Sequence, residues 1–309
     1  MQQLVVSAEE AGQRIDNFLL KKLKGVPKSH IYRVLRSGEV RVNSGRVDPS
    51  CRLAGGDRVR VPPIRQADRT RRAAVPRGET LPVIYEDEAL LVVNKPAGLA
   101  VHGGSGVSSG VIEQLRQQRP EARFLELAHR LDRETSGLLL IGKKRSALVA
   151  LHASLREGGL GKHYLALVKG RFRNKRQQVK LALHKYLTAE GERRVRVADD
   201  GQAAMTVFTR RSRWADLSLL DVELMTGRTH QIRVHLAHLG YPIAADDKYG
   251  DFAWNRELLK RGLKRMFLHA ARVELAHPLS GESLRLEAPL PEELTRFLAG
   301  LGQAEEDND

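Results

Sequence analysis

Nine consecutive residues gather most of the side-chain types from which reactive sites are built: His129-Arg130-Leu131-Asp132-Arg133-Glu134-Thr135-Ser136-Gly137. They lie between apolar stretches at 125–128 and 138–141. Polar groups this dense, between two segments with the pattern of buried strands, cost free energy unless they are paired. Two readings fit: a charged, hydrogen-bonded turn, or a functional site. A second polar run, Thr226-Gly227-Arg228-Thr229-His230-Gln231-Ile232-Arg233-Val234-His235, raises the question of a metal. His230, His235 and His238 do not follow the His-Glu-x-x-His pattern, and no carboxylate stands at a ligand spacing beside them, so no metal is expected. The lone cysteine, Cys51, leaves no intrachain disulfide and no cysteine-rich zinc site, and is expected as a small buried hydrophobe.

The charge balance narrows the class of partner. Fifty-two Lys and Arg against 37 Asp and Glu leave a formal +15 over 309 residues. Such a surplus implies a polyanion, nucleic acid before an anionic membrane surface. Residues 1–80 hold 17 Lys and Arg against 8 Asp and Glu, a surplus of nine, so about a quarter of the chain carries more than half of the excess. A basic module attached to a less basic body is implied, and phosphate neutralisation by such a module gives affinity with little sequence choice. No apolar run approaches the roughly 18–20 residues of a membrane span. Met1-Gln2-Gln3-Leu4 lacks the charged and apolar regions of a signal peptide. The expectation is a cytoplasmic chain with no membrane partner and, in the absence of a heptad or self-association stripe, a monomer. His102-Gly103-Gly104-Ser105-Gly106 is not followed by Gly-Lys-Ser/Thr, which excludes a P-loop and leaves a flexible loop facing the nucleic acid as the expectation.

The elements that must position these groups fall into two sets, as the chain length suggests. Residues 12–62 read as a small domain. Ile15, Phe18, Leu19 and Leu23 share one helical face, and Ile31, Val34 and Leu35 share another after a break at Val26-Pro27-Lys28-Ser29. Gly38 suits the end of the second helix. Short strands follow around the turn Asn43-Ser44-Gly45 and at 57–61. Residues 63–80 read as a linker, whose Arg71 and Arg72 either track phosphates or keep it solvated. From Leu81 the pattern turns to strands: a hairpin at 83–94, then 138–141 and 164–168, with a helix at 146–156 stopped by Gly158-Gly159. Regular βαβ alternation is missing, so 81–300 is expected as an α+β domain on a mostly antiparallel sheet. Thr229 is expected to cap a helix at 231–238 ended by Gly240, with Arg233 in its first turn. The tail 301–309 is acidic, and its end from Glu305 to Asp309 is expected to be disordered.

The small domain, from Arg14-Ile15-Asp16 to Arg41-Val42-Asn43, resembles the S4 RNA-binding domain, which implies RNA contacts for Arg33, Arg36 and Arg41; as residues alone they suit an ordinary solvated face equally. The nine-residue segment resembles the signature of the RluA-type pseudouridine synthases. Three further segments agree in family order: Val92-Val93-Asn94-Lys95-Pro96-Ala97-Gly98, Lys162-His163-Tyr164-Leu165-Ala166, and the run from Thr226 to His235. A four-part match in order is far more specific than any one motif. Stretches at 101–106, 119–127 and 246–251 resemble the branch of the family that modifies uridines in 23S rRNA. The resemblance therefore implies a pseudouridine synthase domain on a mixed sheet with flanking helices, behind an S4 module, acting on 23S rRNA or an assembling large subunit. A non-catalytic rRNA-binding or assembly factor, or the same chemistry on tRNA or another rRNA, are the alternatives.

The residue roles are likewise what the resemblance implies. Pseudouridine formation cuts the N1–C1′ bond of a uridine, turns the base, and rejoins it through C5; nothing is oxidised or added, so no cofactor is required. Asp132 is the carboxylate, which attacks C1′ or C6, or removes a sugar proton. Arg233 is its ion-pair partner, although by itself it also suits a surface phosphate contact. Tyr164 offers a face for the uracil to stack on, although a tyrosine in a strand also suits the core. Arg130 fills the space left by the flipped base, and Leu268 is an apolar wall of the pocket.

Overall fold

The computed structural model describes residues 2–23, 26, 28–64, 80–103, 109–189 and 191–305, so most of the expected linker, Pro27, residues 104–106 of the glycine-rich loop and 306–309 of the tail lie outside it. The chain divides into two compact units, 1–76 and 77–309.

In the small unit, β1 (Gln2–Val5), α1 (Ile15–Lys22), α2 (Lys28–Arg36), β2 (Arg41–Val42), β3 (Gly45–Arg46) and β4 (Arg58–Val61) follow in order. The sheet runs β1-β4-β2-β3. The unit starts earlier than the expected 12–62, because β1 pairs antiparallel with β4 and the adjacent Val6 is buried in the core. The two apolar helical faces meet as their spacing requires: Ile15, Phe18, Leu19 and Leu23 pack with Ile31, Val34 and Leu35. Asn43 and Ser44 both take positive φ, the pair of left-handed residues that a tight two-residue hairpin needs. Cys51 is half-buried at the edge of this core rather than inside it.

In the large unit the strands are β5 (Val83–Glu86), β6 (Leu90–Lys95), β7 (Glu126–Leu127), β8 (Ser136–Gly142), β9 (Gly161–Lys169), β10 (Arg176–Lys180), β11 (Leu183–Leu187), β12 (Arg193–Val197), β13 (Met205–Arg213), β14 (Leu217–Leu224), β15 (Leu268–Ala276) and β16 (Ser283–Glu287). The helices are α3 (Val111–Gln118), α4 (Arg145–Glu157), α5 (Gln231–His238), α6 (Phe252–Lys260) and α7 (Glu292–Ala299). The main sheet runs β10-β13-β14-β9-β15-β8-β6-β5, with β16 on β15 and β7 on β8. Among the described residues its one parallel pairing is β15 with β8, at His269–Ser136 and Ala270–Gly137. The α+β class with a mostly antiparallel mixed sheet is therefore the one observed.

The uninterrupted apolar runs in β6 and β8 have a physical cause: both faces of the sheet are covered. Alternate side chains of β8 enter different cores, Leu139 and Ile141 one, Leu138 and Leu140 the other. Gly137 sits where β8 meets β15. A Cβ there would stand 2.2 Å from the Ala270 carbonyl oxygen, and its φ of 110° is one that other residues rarely adopt. At the C-terminal end, Glu305 is not disordered as expected. Its carboxylate bridges Arg171 at 2.6 Å and Arg213 at 2.9 Å, and its N–H donates to the Arg213 carbonyl.

Candidate active site

The segment 129–135 forms the loop between β7 and β8, and both of its ends are pinned. At the first, the Leu140 N–H donates to His129 Nε2 at 3.2 Å. At the second, Ser136 Oγ lies 2.9 Å from His269 Nδ1 and accepts from Arg265. The Ala288 carbonyl can only accept, so it fixes the proton of His269 on Nε2. Burial pushes both imidazoles down to about 4, so each is neutral near pH 7.

Lys95 clamps the loop from beneath. It is fully buried, and its ammonium donates to the carbonyls of Pro96, Leu99 and Arg133 at 2.8, 2.8 and 3.0 Å. The turn at Gly98 is tied to Arg133 a second time, because the Gly98 N–H donates to the Arg133 carbonyl and Arg133 Nε returns a bond to the Gly98 carbonyl. Asp132 is therefore carried on a backbone held on both sides.

Arg233 Nη1 donates to Asp132 Oδ2 at 3.1 Å. The two residues are 101 positions apart, and the helix that carries Arg233 brings them together. The α5 bounds match the expected helix, but Thr229 does not cap it. The N-cap is His230, in a left-handed conformation with φ 54° and no side-chain cap bond. Gln231 holds the turn instead: its Oε1 accepts from the Arg228 N–H and the Thr226 hydroxyl, and its Nε2 donates to the Met205 carbonyl and the Thr206 hydroxyl.

Arg233 is 3% exposed, and the sequence reading missed its strongest partner. Asp246, itself fully buried, takes Nε and Nη2 in a fork at 2.7 Å each, and Asp247 accepts from Nη2 at 3.0 Å. Burial opposes the charge of Arg233, but Asp246 more than offsets it and holds the guanidinium above its usual range. Conversely, burial raises and Arg233 lowers the Asp246 carboxyl, with a net lowering. The Lys248 and Tyr249 N–H groups also donate to Asp246 Oδ1. Tyr249 adds its ring, 5.3 Å from the Arg233 guanidinium carbon. Its hydroxyl lies 2.8 Å from His230 Nδ1, and His230 Nε2 is 3.9 Å from Asp132 Oδ1. The 246–251 stretch carries a motif resemblance, but no spacing rule links it to Arg233 in a preceding helix.

Asp132, Arg233, Tyr164, Arg130 and Leu268 all line one cavity of about 80 Å³. Tyr164 is buried, and its phenol is pushed up by that burial and by the negative charge of Asp132, so it remains a protonated donor at neutral pH. Arg130 is exposed, and its side chain has no hydrogen-bond or ion-pair partner among the described residues. An adjoining cavity of about 790 Å³ shares Arg130, Asp132, Tyr164, Leu224, Gly227 and Arg228 with the first. Arg33, Arg36 and Arg41 belong to the small unit. Arg33 and Arg36 are exposed on α2, Arg41 is half-buried, and none of the three pairs with a carboxylate among the described residues.

A covered sheet carrying a carboxylate–guanidinium pair in a cavity beside a buried tyrosine defines a class that comparison with known proteins identifies. Residues 89–238 match the family model for RNA pseudouridylate synthases, and 13–59 match the S4 domain. "Ribosomal large subunit pseudouridine synthase C" of Escherichia coli K12 is 53% identical over 308 residues, 97% of this chain and 97% of that protein. Its namesake in Pasteurella multocida is 51% identical over 99% of this chain and 95% of its own. Among solved structures, "Human RNA Pseudouridylate Synthase Domain Containing 4" aligns with a TM-score of 0.59 and 27% identity, over 74% of this chain and 95% of that one. The chain belongs to the RNA pseudouridylate synthase family and is an RNA pseudouridine synthase with an N-terminal S4 domain.

Proposed function

We propose that this enzyme converts specific uridines of 23S rRNA to pseudouridine, on free RNA or on an assembling large subunit, through Asp132. The observation that carries the reading is the Asp132–Arg233 pair, locked from behind by Asp246 and facing the same small cavity as Tyr164 and Leu268. The names of the E. coli and P. multocida relatives support the large-subunit substrate. No helix among the described residues is long and apolar enough to cross a membrane, and a monomer working in the cytoplasm suits an rRNA target. Residues 81–300 would be the catalytic domain and 12–62 the RNA-binding part of a small unit that also takes in β1, joined by the linker 63–80.

In this reading Arg233 fixes one oxygen of Asp132 and leaves the other for the nucleotide. The carboxylate then attacks C1′ or C6, or takes a sugar proton while the base departs. The detached uracil stays against the Tyr164 ring and turns to present C5 to C1′; as that bond forms the carboxylate is freed, or the sugar proton returned, the proton at C5 is lost to solvent and N1 takes one up. Arg130, exposed and unpaired, takes the place of the extruded base. Arg233 has a further benefit from its anchor: it need not reorganise when charge moves on Asp132.

The test is tritium release from RNA labelled at C5 of uridine. Wild-type protein should release it and Asp132→Asn should lose at least about 10³-fold in rate, while its circular dichroism and RNA affinity stay unchanged. Carbodiimide mapping of 23S rRNA from a strain carrying only the variant should show the target sites unmodified; modified sites there would refute the role of Asp132.

A further inference from the structure

Lys162, near the start of β9, has a largely buried side chain whose ammonium meets an open cavity instead of a protein partner. The residue is only 7% exposed, yet its ammonium makes no hydrogen bond or ion pair with any of the described residues. That burial, with no compensating partner, holds its pKa below the ordinary lysine value. A buried, unpaired charge costs free energy, and chains tolerate it where a ligand supplies the counter-charge.

The surroundings say what that ligand is. Side chains two apart on a strand share a face and stand about 6.6 Å apart, so Lys162 is the neighbour of Tyr164 on the site side of β9. Both line the larger cavity, but only Tyr164 continues into the small one beside Asp132 and Arg233. Lys162 therefore meets the chain next to the reacting base rather than the base itself. Arg130, Arg156, Lys185 and Arg228 line the same cavity, and among the described residues Asp132, already paired, is its one carboxylate. Gly227 borders the same nitrogen: a Cβ added there would stand in ordinary contact with it, at 3.7 Å. The cavity is thus cationic, with a preset ammonium one nucleotide's reach from the reacting position.

We propose that Lys162 binds the phosphodiester group immediately flanking the target uridine and so positions the nucleotide whose base enters the Asp132 cavity. The proposal rests on the reading of that cavity as the reaction site. The contact exists equally in the bound substrate and the transition state, so its loss acts on KM and leaves kcat in place.

Lys162→Met keeps the length and burial of the side chain without its charge, and Lys162→Arg keeps the charge. In the full chain, Lys162→Met should raise KM for an rRNA transcript about tenfold with kcat within about twofold. It should also reduce the slope of log affinity against log salt by about 0.7–0.9, the value of one phosphate contact. Its melting temperature should hold or rise, and Lys162→Arg should recover most of the affinity. Oligoribonucleotides around the modified uridine, each with one methylphosphonate linkage, supply the second arm. Wild type should be weakened most by the uncharged linkage on one side of that uridine, and Lys162→Met should be insensitive at that linkage alone. Unchanged KM and salt slope in Lys162→Met would overturn the proposal, as would equal sensitivity of both proteins at every linkage. Lower thermal stability with unaltered RNA affinity would assign Lys162 to packing and overturn it too. A wild type that binds RNA but releases no tritium would count instead against the Asp132 reading, and the methylphosphonate arm would still decide the phosphate contact.

Discussion

Arg233 faces three carboxylates, and their burial makes them unequal. Asp247 has a largely exposed side chain and Asp132 a partly exposed one, whereas Asp246 is out of solvent altogether. Solvent screens the first two interactions and leaves them modest. Without Asp246, by contrast, Arg233 would be a buried cation short of its two best hydrogen bonds, and breaking a buried pair from one side costs about 3–5 kcal/mol. Asp246→Ala should therefore lower unfolding stability by that amount, whereas Asp132→Asn should change it by less than about 1 kcal/mol. Urea denaturation of the two variants separates the roles. Equal midpoints would mean that Asp246 does not anchor Arg233. The milder Asp246→Asn should retain the fold and lose kcat more than KM, because the guanidinium that aims Asp132 would no longer be fixed.

At the scale of elements, the loop 129–135 hangs between two neutral imidazoles, which ties its integrity to pH. The unfolded chain binds a proton at each near pH 6.5, whereas the folded chain refuses it until about pH 4. Between those values the unfolded state holds more protons, so stability falls as pH drops through the window and is unaffected by these groups above it. For the fully buried His269 the full loss is about 3 kcal/mol. Denaturation midpoints should decline from pH 6.5 to 4, and His269→Gln should flatten that decline; a parallel decline in the variant would exclude His269 as its source. The same loop marks what the sequence disclosed. Elements with a complete local pattern were legible: α4 with its stop at Gly158, the β5–β6 hairpin, and the two amphipathic helices of the small unit. The four-residue β1 was not, because within it only Leu4 reaches the core and the strand exists chiefly through its pairing with β4. The cap at Thr229 failed for a related reason: the left-handed turn at His230 is imposed by tertiary bonds of Gln231 and Tyr249. Asp132, Tyr164 and Arg233 were picked out by motif resemblance, whereas Asp246 reaches Arg233 through a loop path that no periodicity describes.

On the scale of the whole molecule, the division of labour is written in the charge. The N-terminal 80 residues carry a surplus of nine positive charges, and in the small unit Arg33, Arg36 and Arg41 stand without carboxylate partners among the described residues. Its one buried carboxylate among the described residues, Asp16, is already committed to Arg14 and the Tyr32 hydroxyl, so it leaves the charge of those arginines unneutralised. Two RNA-binding surfaces on one chain add their effects through effective concentration, and each phosphate contact contributes separately to the salt dependence. Replacing Arg33, Arg36 and Arg41 together by Ala should therefore weaken binding of an rRNA transcript and reduce its log–log salt slope by about 2–3, while kcat at saturating RNA stays within about twofold. Asp132→Asn should show the opposite profile, a normal salt slope with no turnover. Measuring both variants across a salt series tests the separation directly: an unchanged slope in the triple variant would assign the S4 arginines a role other than phosphate contact, and a lost kcat there would mean that the small unit also shapes the reaction.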